Sequence, residues 1–249
     1  MPTRYREIAY DVPLATPLRN QAWLAEAAGD WRLIVFPGTP ARKYLFERFL
    51  RLAPNNLEVV LLARPGYGRG HAQAYLDFDD QIAAAAPFLE TDKKVVTMGV
   101  SYGGELALKA LVDRPDKVKG AVTVAALITE PRGWVQPFVD LGGAPVVRSL
   151  APRTLHYARA ELAGRRAQIG PLFDRLKSVT APVTIMHGDV DHLVSMGDAR
   201  TLKGYFADDA DVEFRHVRGG THFLELQSPR QVYDAVNGVI ARAERAGGR

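Results

Sequence analysis

The sequence predicts an α/β fold, a mostly parallel, doubly wound sheet with a helical insertion, and three observations predict it. Strand-sized runs rich in Val, Ile and Leu recur with little polar alternation, as in strands buried on both faces of a parallel sheet. Stretches with apolar residues at helical spacing fill the intervals, and alternating strands and helices build parallel βαβ units. The rhythm breaks once, after Ala126. From there to about Gly170 the chain carries Pro131, Pro137, Pro145 and Pro152 and no evident buried strand.

Taken in order, residues 4–11 and 21–26 read as a short strand pair, with helix still open for the second. Buried strands are expected at residues 33–36, 57–63, 94–99, 119–124 and 183–187, with a shorter one at 212–217. Residues 41–53 place Tyr44, Leu45, Phe49 and Leu52 at helical spacing, and residues 104–113 set Leu108 and Leu111 on one side before Pro115 ends the helix. Residues 79–89 and 229–243 follow the same pattern, with Pro87 expected to end or kink the former. The domain reading is a core of residues 1–126 and 171–249 with a helical lid at 127–170.

A length of 249 residues fits one domain, and 47% hydrophobic with 24% charged residues is a soluble, globular composition. No apolar run approaches the length of a membrane span, and the first residues lack the apolar core of a signal peptide. With no cysteine, disulfides, a thiolate nucleophile and Cys-based zinc sites are excluded. A cytoplasmic protein is expected. The net charge of +4 could suit nucleic acid, but the basic residues are scattered, without a dense run or aromatic interleaving, so none is expected to bind. Six lid arginines (Arg132, Arg148, Arg153, Arg159, Arg165, Arg166) stand against three acids (Glu130, Asp140, Glu161). They are read either as a solvated face or as a basic lid selecting acidic substrates.

Gly99-Val100-Ser101-Tyr102-Gly103 is the strongest motif. A strand precedes it and a helix follows, and small flanking residues let the two pass closely while the serine occupies a tight, strained turn. The helix start then aims backbone N–H groups at a developing oxyanion. Ser101 is the candidate nucleophile, against the alternative of a glycine-rich turn without catalysis.

Further segments occur in a telling order: Phe36-Pro37-Gly38-Thr39-Pro40, Arg64-Pro65-Gly66-Tyr67-Gly68, His187-Gly188-Asp189-Val190-Asp191-His192-Leu193-Val194 and Gly219-Gly220-Thr221-His222-Phe223-Leu224. With the serine motif, the chain resembles the α/β-hydrolase superfamily over nearly everything outside the lid. The first segment resembles that family's His-Gly-x-Pro oxyanion loop, with Pro37 in place of the usual His. This implies the backbone N–H of Thr39 as one donor and that of Tyr102 as the other. The second resembles the Asp-x-Pro-Gly-x-Gly loop, with Ala63 for the usual Asp and Gly70 for a usual Ser, and is expected to shape the pocket. The third resembles the Gly-x-x-Asp-x-x-Val acid loop, with Gly188, Asp191 and Val194 in register, implying Asp191 as the acid and Asp189 as its rival. The fourth resembles the Gly-His-Phe loop, with Thr221 inserted, implying His222 as the base. The order Ser101, Asp191, His222 is the order this fold uses.

The resemblance implies acyl transfer from a small or medium ester to water through an acyl-enzyme, with no cofactor. Thioester, amide and carbon–carbon bond hydrolysis remain open on the same triad, as does a non-hydrolytic small-molecule binder on the same scaffold. Ser101 argues against the family's branches with an Asp nucleophile. His187, Asp189, Asp191 and His192 could faintly suggest a metal loop, but no second ligand cluster supports one, so no metal is expected. Trp134, Phe138, Leu141 and Tyr157 are the lid residues expected to line the pocket or to pack the lid onto the body. A small-molecule substrate is the expected partner; the oligomeric state is open.

Overall fold

The computed structural model describes residues 5–128 and 152–248. Eight strands form one sheet in the order β1-β2-β4-β3-β5-β6-β7-β8. β1 (Arg6–Val12) and β2 (Leu18–Ala25) are an antiparallel hairpin, and β2 joins β4 (Leu57–Leu62) antiparallel. β3 (Trp31–Phe36), β5 (Lys94–Val100), β6 (Val118–Val124), β7 (Val183–Gly188) and β8 (Val212–Val217) continue the sheet in parallel, β3 lying between β4 and β5. The second opening segment is thus a strand. The sheet is mostly parallel, as expected.

The central strands are apolar because both faces are covered. Alternate side chains enter opposite cores: Ile34 and Phe36 join one cluster, Leu33 and Val35 the other. On the first face α4 (Tyr102–Asp113) supplies Leu106, Leu108 and Leu111. On the second, α1 (Glu47–Arg51) and the long C-terminal helix α9 (Pro229–Gly247) meet through Phe49 and Tyr233, stacked at 4.2 Å between centroids. Burying each such side chain contributes roughly 1.5–3 kcal/mol. Residues 41–53 form a 3₁₀ turn, Lys43–Phe46, before α1. Residues 78–89 divide into α2 (Phe78–Ala83) and α3 (Ala86–Leu89), with Pro87 in the first turn of α3 where its missing N–H costs nothing.

Within the expected lid, α5 (Arg153–Gly164) and α6 (Arg166–Arg175) are helical. The expected boundary at residue 170 falls inside α6, which runs on through Pro171 and buries Leu172 and Phe173 in the core. Trp134, Phe138 and Leu141, with Arg132, Arg148, Glu130 and Asp140, lie outside the described residues. Two further helices, α7 (Met196–Lys203) and α8 (Leu224–Gln227), follow β7 and β8. Among the described residues no helix is long and apolar enough to cross a membrane.

Candidate active site

β5 delivers Ser101 to a turn before α4, and the serine takes φ 53°, ψ −123°. Positive φ is costly for a residue with a Cβ, and such strain persists only where the surroundings enforce it. The packing here leaves no alternative path. A Cβ on Gly99 would fall 1.8 Å from the Gly103 carbonyl oxygen, and one on Gly103 would fall 2.1 Å from that of Phe36. Only glycine lets strand, helix and the Pro37–Gly38 turn approach so closely. Gly38 abuts the elbow, since a Cβ there would lie 3.2 Å from Cβ of Ser101. The Thr39 backbone therefore sits beside the serine. The amide of Tyr102 is the first of α4 and has no acceptor within the helix.

The acid and histidine loops are pressed together at the ends of β7 and β8. A Cβ on Gly188 would collide at 2.2 Å with the Gly220 carbonyl oxygen, and Val190 N–H donates to that oxygen at 2.9 Å. Asp191 Oδ2 lies 2.8 Å from His222 Nδ1. Its Oδ1 accepts the amides of Leu193 (2.8 Å) and Val194 (3.0 Å), which fixes the carboxylate plane. Burial pushes the Asp191 pKa up, but the His222 hydrogen bond and charge and the two amides together hold it below its ordinary value. Asp191 is thus the acceptor and Nδ1–H the donor, leaving Nε2 of His222 for another partner. Asp189 goes elsewhere: it accepts from Gly219 N–H at 2.6 Å and lies 3.1 Å from His216 Nε2. Gln227 completes the histidine loop, accepting the Thr221 amide at 2.8 Å and donating to the Gly219 carbonyl at 2.9 Å.

His187, behind the acid, is fully buried. Its Nε2 donates to the Val194 carbonyl at 3.0 Å and stands 3.5 Å from Asp191 Oδ2. Burial lowers its pKa, so it stays neutral and tethers the loop. Among the described residues no group of three or more His, Cys, Asp or Glu is placed to hold a metal ion.

A cavity of about 510 Å³ opens over these residues. Ser101 and His222 line it together with Gly38 and Thr39, and its walls are mostly apolar, including Leu45, Phe46, Leu127 and Leu193. α5, in the expected lid, contributes Leu155, Ala158 and Leu162. Tyr157 is not among the lining residues; its ring packs edge-on against Tyr67 at 6.2 Å, so it joins the lid to the body. None of the four described arginines of the expected lid lines the cavity either, which for that part does not favour the reading of a basic lid. Arg165 is fully buried and holds Glu105 of α4 while also donating to the Leu127 carbonyl at 3.0 Å. Among the described residues the arginine that lines the cavity is Arg42, which lies outside the expected lid.

The loop of Arg64, expected to shape the pocket, contributes none of residues 64–68 to the lining and acts from behind it. Glu161 of α5, fully buried, accepts from Arg64 at 2.7 and 3.1 Å, from Tyr67 at 2.7 Å, from Gln81 at 3.2 Å and from the hydroxyl of Thr39. Arg64 is also fully buried, stacked near the rings of Tyr67 and Tyr102 at 4.9 and 4.8 Å. Burial alone would lower its pKa, but the charge of Glu161 overrides that and keeps it cationic. Its Nη2 donates to the Gly38 carbonyl at 2.9 Å. The Gly38–Thr39 peptide is trans, so holding its C=O one way turns the Thr39 N–H the other way. Motif reading misses this network because Glu161 counts there only as one lid acid.

The Alpha/beta hydrolase family matches the chain over residues 33–235. A pimeloyl-acyl-carrier protein methyl ester esterase of Proteus mirabilis is 23% identical over 233 residues, covering 78% of this chain and 88% of that protein. Its counterpart in Pectobacterium carotovorum subsp. carotovorum is 30% identical over 119 residues, 45% of this chain and 44% of that one. Among solved structures, a haloalkane dehalogenase of Bradyrhizobium elkani superposes with a TM-score of 0.75 at 16% identity, over 98% of this chain and 100% of its own. A peroxisomal alpha-beta-hydrolase of Saccharomyces cerevisiae gives 0.70 at 14%, over 96% and 88%. At such identities these likenesses concern the fold.

Proposed function

Since the chain belongs to the alpha/beta hydrolase family and is a hydrolase, we propose that it cleaves a small or medium carboxylic ester through an acyl-enzyme on Ser101. The observation that carries this reading is the 2.8 Å Asp191–His222 hydrogen bond through Nδ1, with His222 and the strained Ser101 both on the wall of one cavity. Nε2 takes the serine proton as the oxygen attacks the carbonyl carbon. Asp191 keeps the imidazole in that tautomer and stabilises the cation that forms. The N–H groups of Thr39 and Tyr102 receive the oxyanion, the former aimed by Arg64 through Gly38. The imidazolium protonates the leaving alcohol, and His222 then activates water to release the acid.

An ester, rather than a thioester or amide, is favoured by the methyl ester esterases among the relatives. A fluorophosphonate is expected to add once, at Ser101, as read by intact mass and peptide mapping. An adduct on another serine, or none, overturns the assignment. Absence of turnover across a panel of esters, with tight ligand binding retained, would instead mark a binder on the same scaffold.

A further inference from the structure

Glu225 stands in the cavity wall with Ser101 and His222, and the chemistry above gives it no task. It lies on α8, directly after the histidine loop, and is 1% exposed. Its Oε2 is buried without a hydrogen-bond partner. A carboxyl enclosed in this way costs free energy, and natural interiors satisfy nearly all such groups. Most of the residues lining the cavity with it are apolar, Leu45, Phe46 and Phe223 among them. Arg42 also lines the cavity, but its side chain is directed to the hydroxyl of Thr154 at 3.4 Å. Burial raises the Glu225 pKa to about 8, so near neutrality the group is a carboxylic acid with a proton to donate.

We propose that Glu225 is the polar anchor of a substrate subsite in this cavity, donating a hydrogen bond to an uncharged oxygen, a hydroxyl or carbonyl, on the ligand chain. An apolar wall makes such an anchor selective. A chain ending in methyl leaves the acid unpaired, whereas a ligand oxygen completes it, and sites built around one buried polar group discriminate strongly on that basis. An ammonium would have to shed its hydration and draw the proton off the acid, and a carboxylate would lose its hydration against the same apolar wall. The inference rests on reading the cavity as the ester site.

The test is a set of matched nitrophenyl and alkyl esters. They differ only in a hydroxyl, ketone, ammonium, carboxylate or methyl group, walked along the acyl chain in one series and the alkoxy chain in the other. Wild type should favour the best hydroxyl or ketone ester over its methyl match by roughly tenfold in kcat/KM, the equivalent of one net hydrogen bond. Glu225→Gln, which still donates, should keep most of that ratio, and Glu225→Met should bring it to about one. Equal rates for oxygen-bearing and methyl chains at every position overturn the proposal, as does an advantage that survives in Glu225→Met. Either outcome makes Glu225 a structural acid satisfied by water. A preference for ammonium or carboxylate over hydroxyl assigns the wrong ligand class and also overturns it. Thermal shifts of Ser101→Ala protein with matched diols and alkanols read the subsite without turnover. Failure of the ester chemistry is thereby separated from failure of the subsite, and a diol that stabilises no more than its alkanol counts against it.

Discussion

Two buried glutamates live in opposite circumstances, Glu225 in the cavity wall and Glu161 behind it, bonded to the lining residue Thr39. Glu161 is saturated: four residues donate to it, one of them an arginine with which it forms a buried ion pair. Glu225 is as well buried and leaves an oxygen unpaired. The difference teaches how to read a buried charge. A carboxylate whose lone pairs are all used belongs to the architecture, and its removal strands its donors. A carboxyl that the protein leaves incomplete sits at the protein's expense and is free to meet something else. Asp191 belongs with Glu161 on this scale, since both its oxygens are engaged.

Breaking a saturated acid should cost most. Asp191→Asn should lower kcat by about a thousand-fold or more, because the amide no longer selects the tautomer with Nε2 free. Asp189→Asn should cost far less. Equal losses in steady-state kinetics would erase the distinction between the two. Next comes Glu161→Ala, which leaves the Arg64 charge buried and uncompensated; a stability loss of about 3–5 kcal/mol is expected in urea titration. The subtler Arg64→Lys should reduce kcat by about ten- to a hundred-fold with little change in KM, because it loosens the Gly38–Thr39 peptide rather than ground-state binding. A KM effect alone would deny the link to the oxyanion.

The smallest effect, and one of opposite sign, is expected at Glu225. Its folded pKa of about 8 lies above the unfolded value of about 4.3, so the folded state binds the extra proton between them. Stability from this group is present at low pH and lost as pH rises through that interval. Glu225→Gln removes the loss and should raise Tm by a few degrees at pH above 8 while changing it little near pH 4. A lower Tm at alkaline pH would mean that the carboxylate is satisfied after all.

The sequence made the sheet legible because the central strands are buried on both faces, so their apolar runs owe nothing to a particular partner. It also exposed the turns carrying Ser101, Asp191 and His222, since close backbone approach demands glycine at fixed offsets, as at Gly99, Gly103 and Gly188. Charged residues were read less well. Arg165 looked like one of several lid arginines, yet it is fully buried against Glu105. Glu161 looked like a surface acid. Whether a long charged side chain points in or out depends on a partner distant in sequence, here 97 residues away for Arg64 and Glu161. Helical spacing carries no record of that partner. Tyr157 was left between two readings for a related reason: an aromatic on such a helix faces either pocket or body, and its contact with Tyr67 favours the body.

The glutamate on α5 also ties a movement to an alignment. Arg64, Tyr67 and Thr39 all end on the same carboxylate, so displacing α5 would strand three donors together. By linkage, whatever holds α5 in place steadies the peptide carrying Gly38 and Thr39, and whatever engages that peptide holds α5 by the same free energy. The His222–Asp191 pair hangs on Gly188 and Gly220 instead and stands outside this circuit. Displacing α5 would unseat the Thr39 amide while leaving the Asp191–His222 hydrogen bond in place.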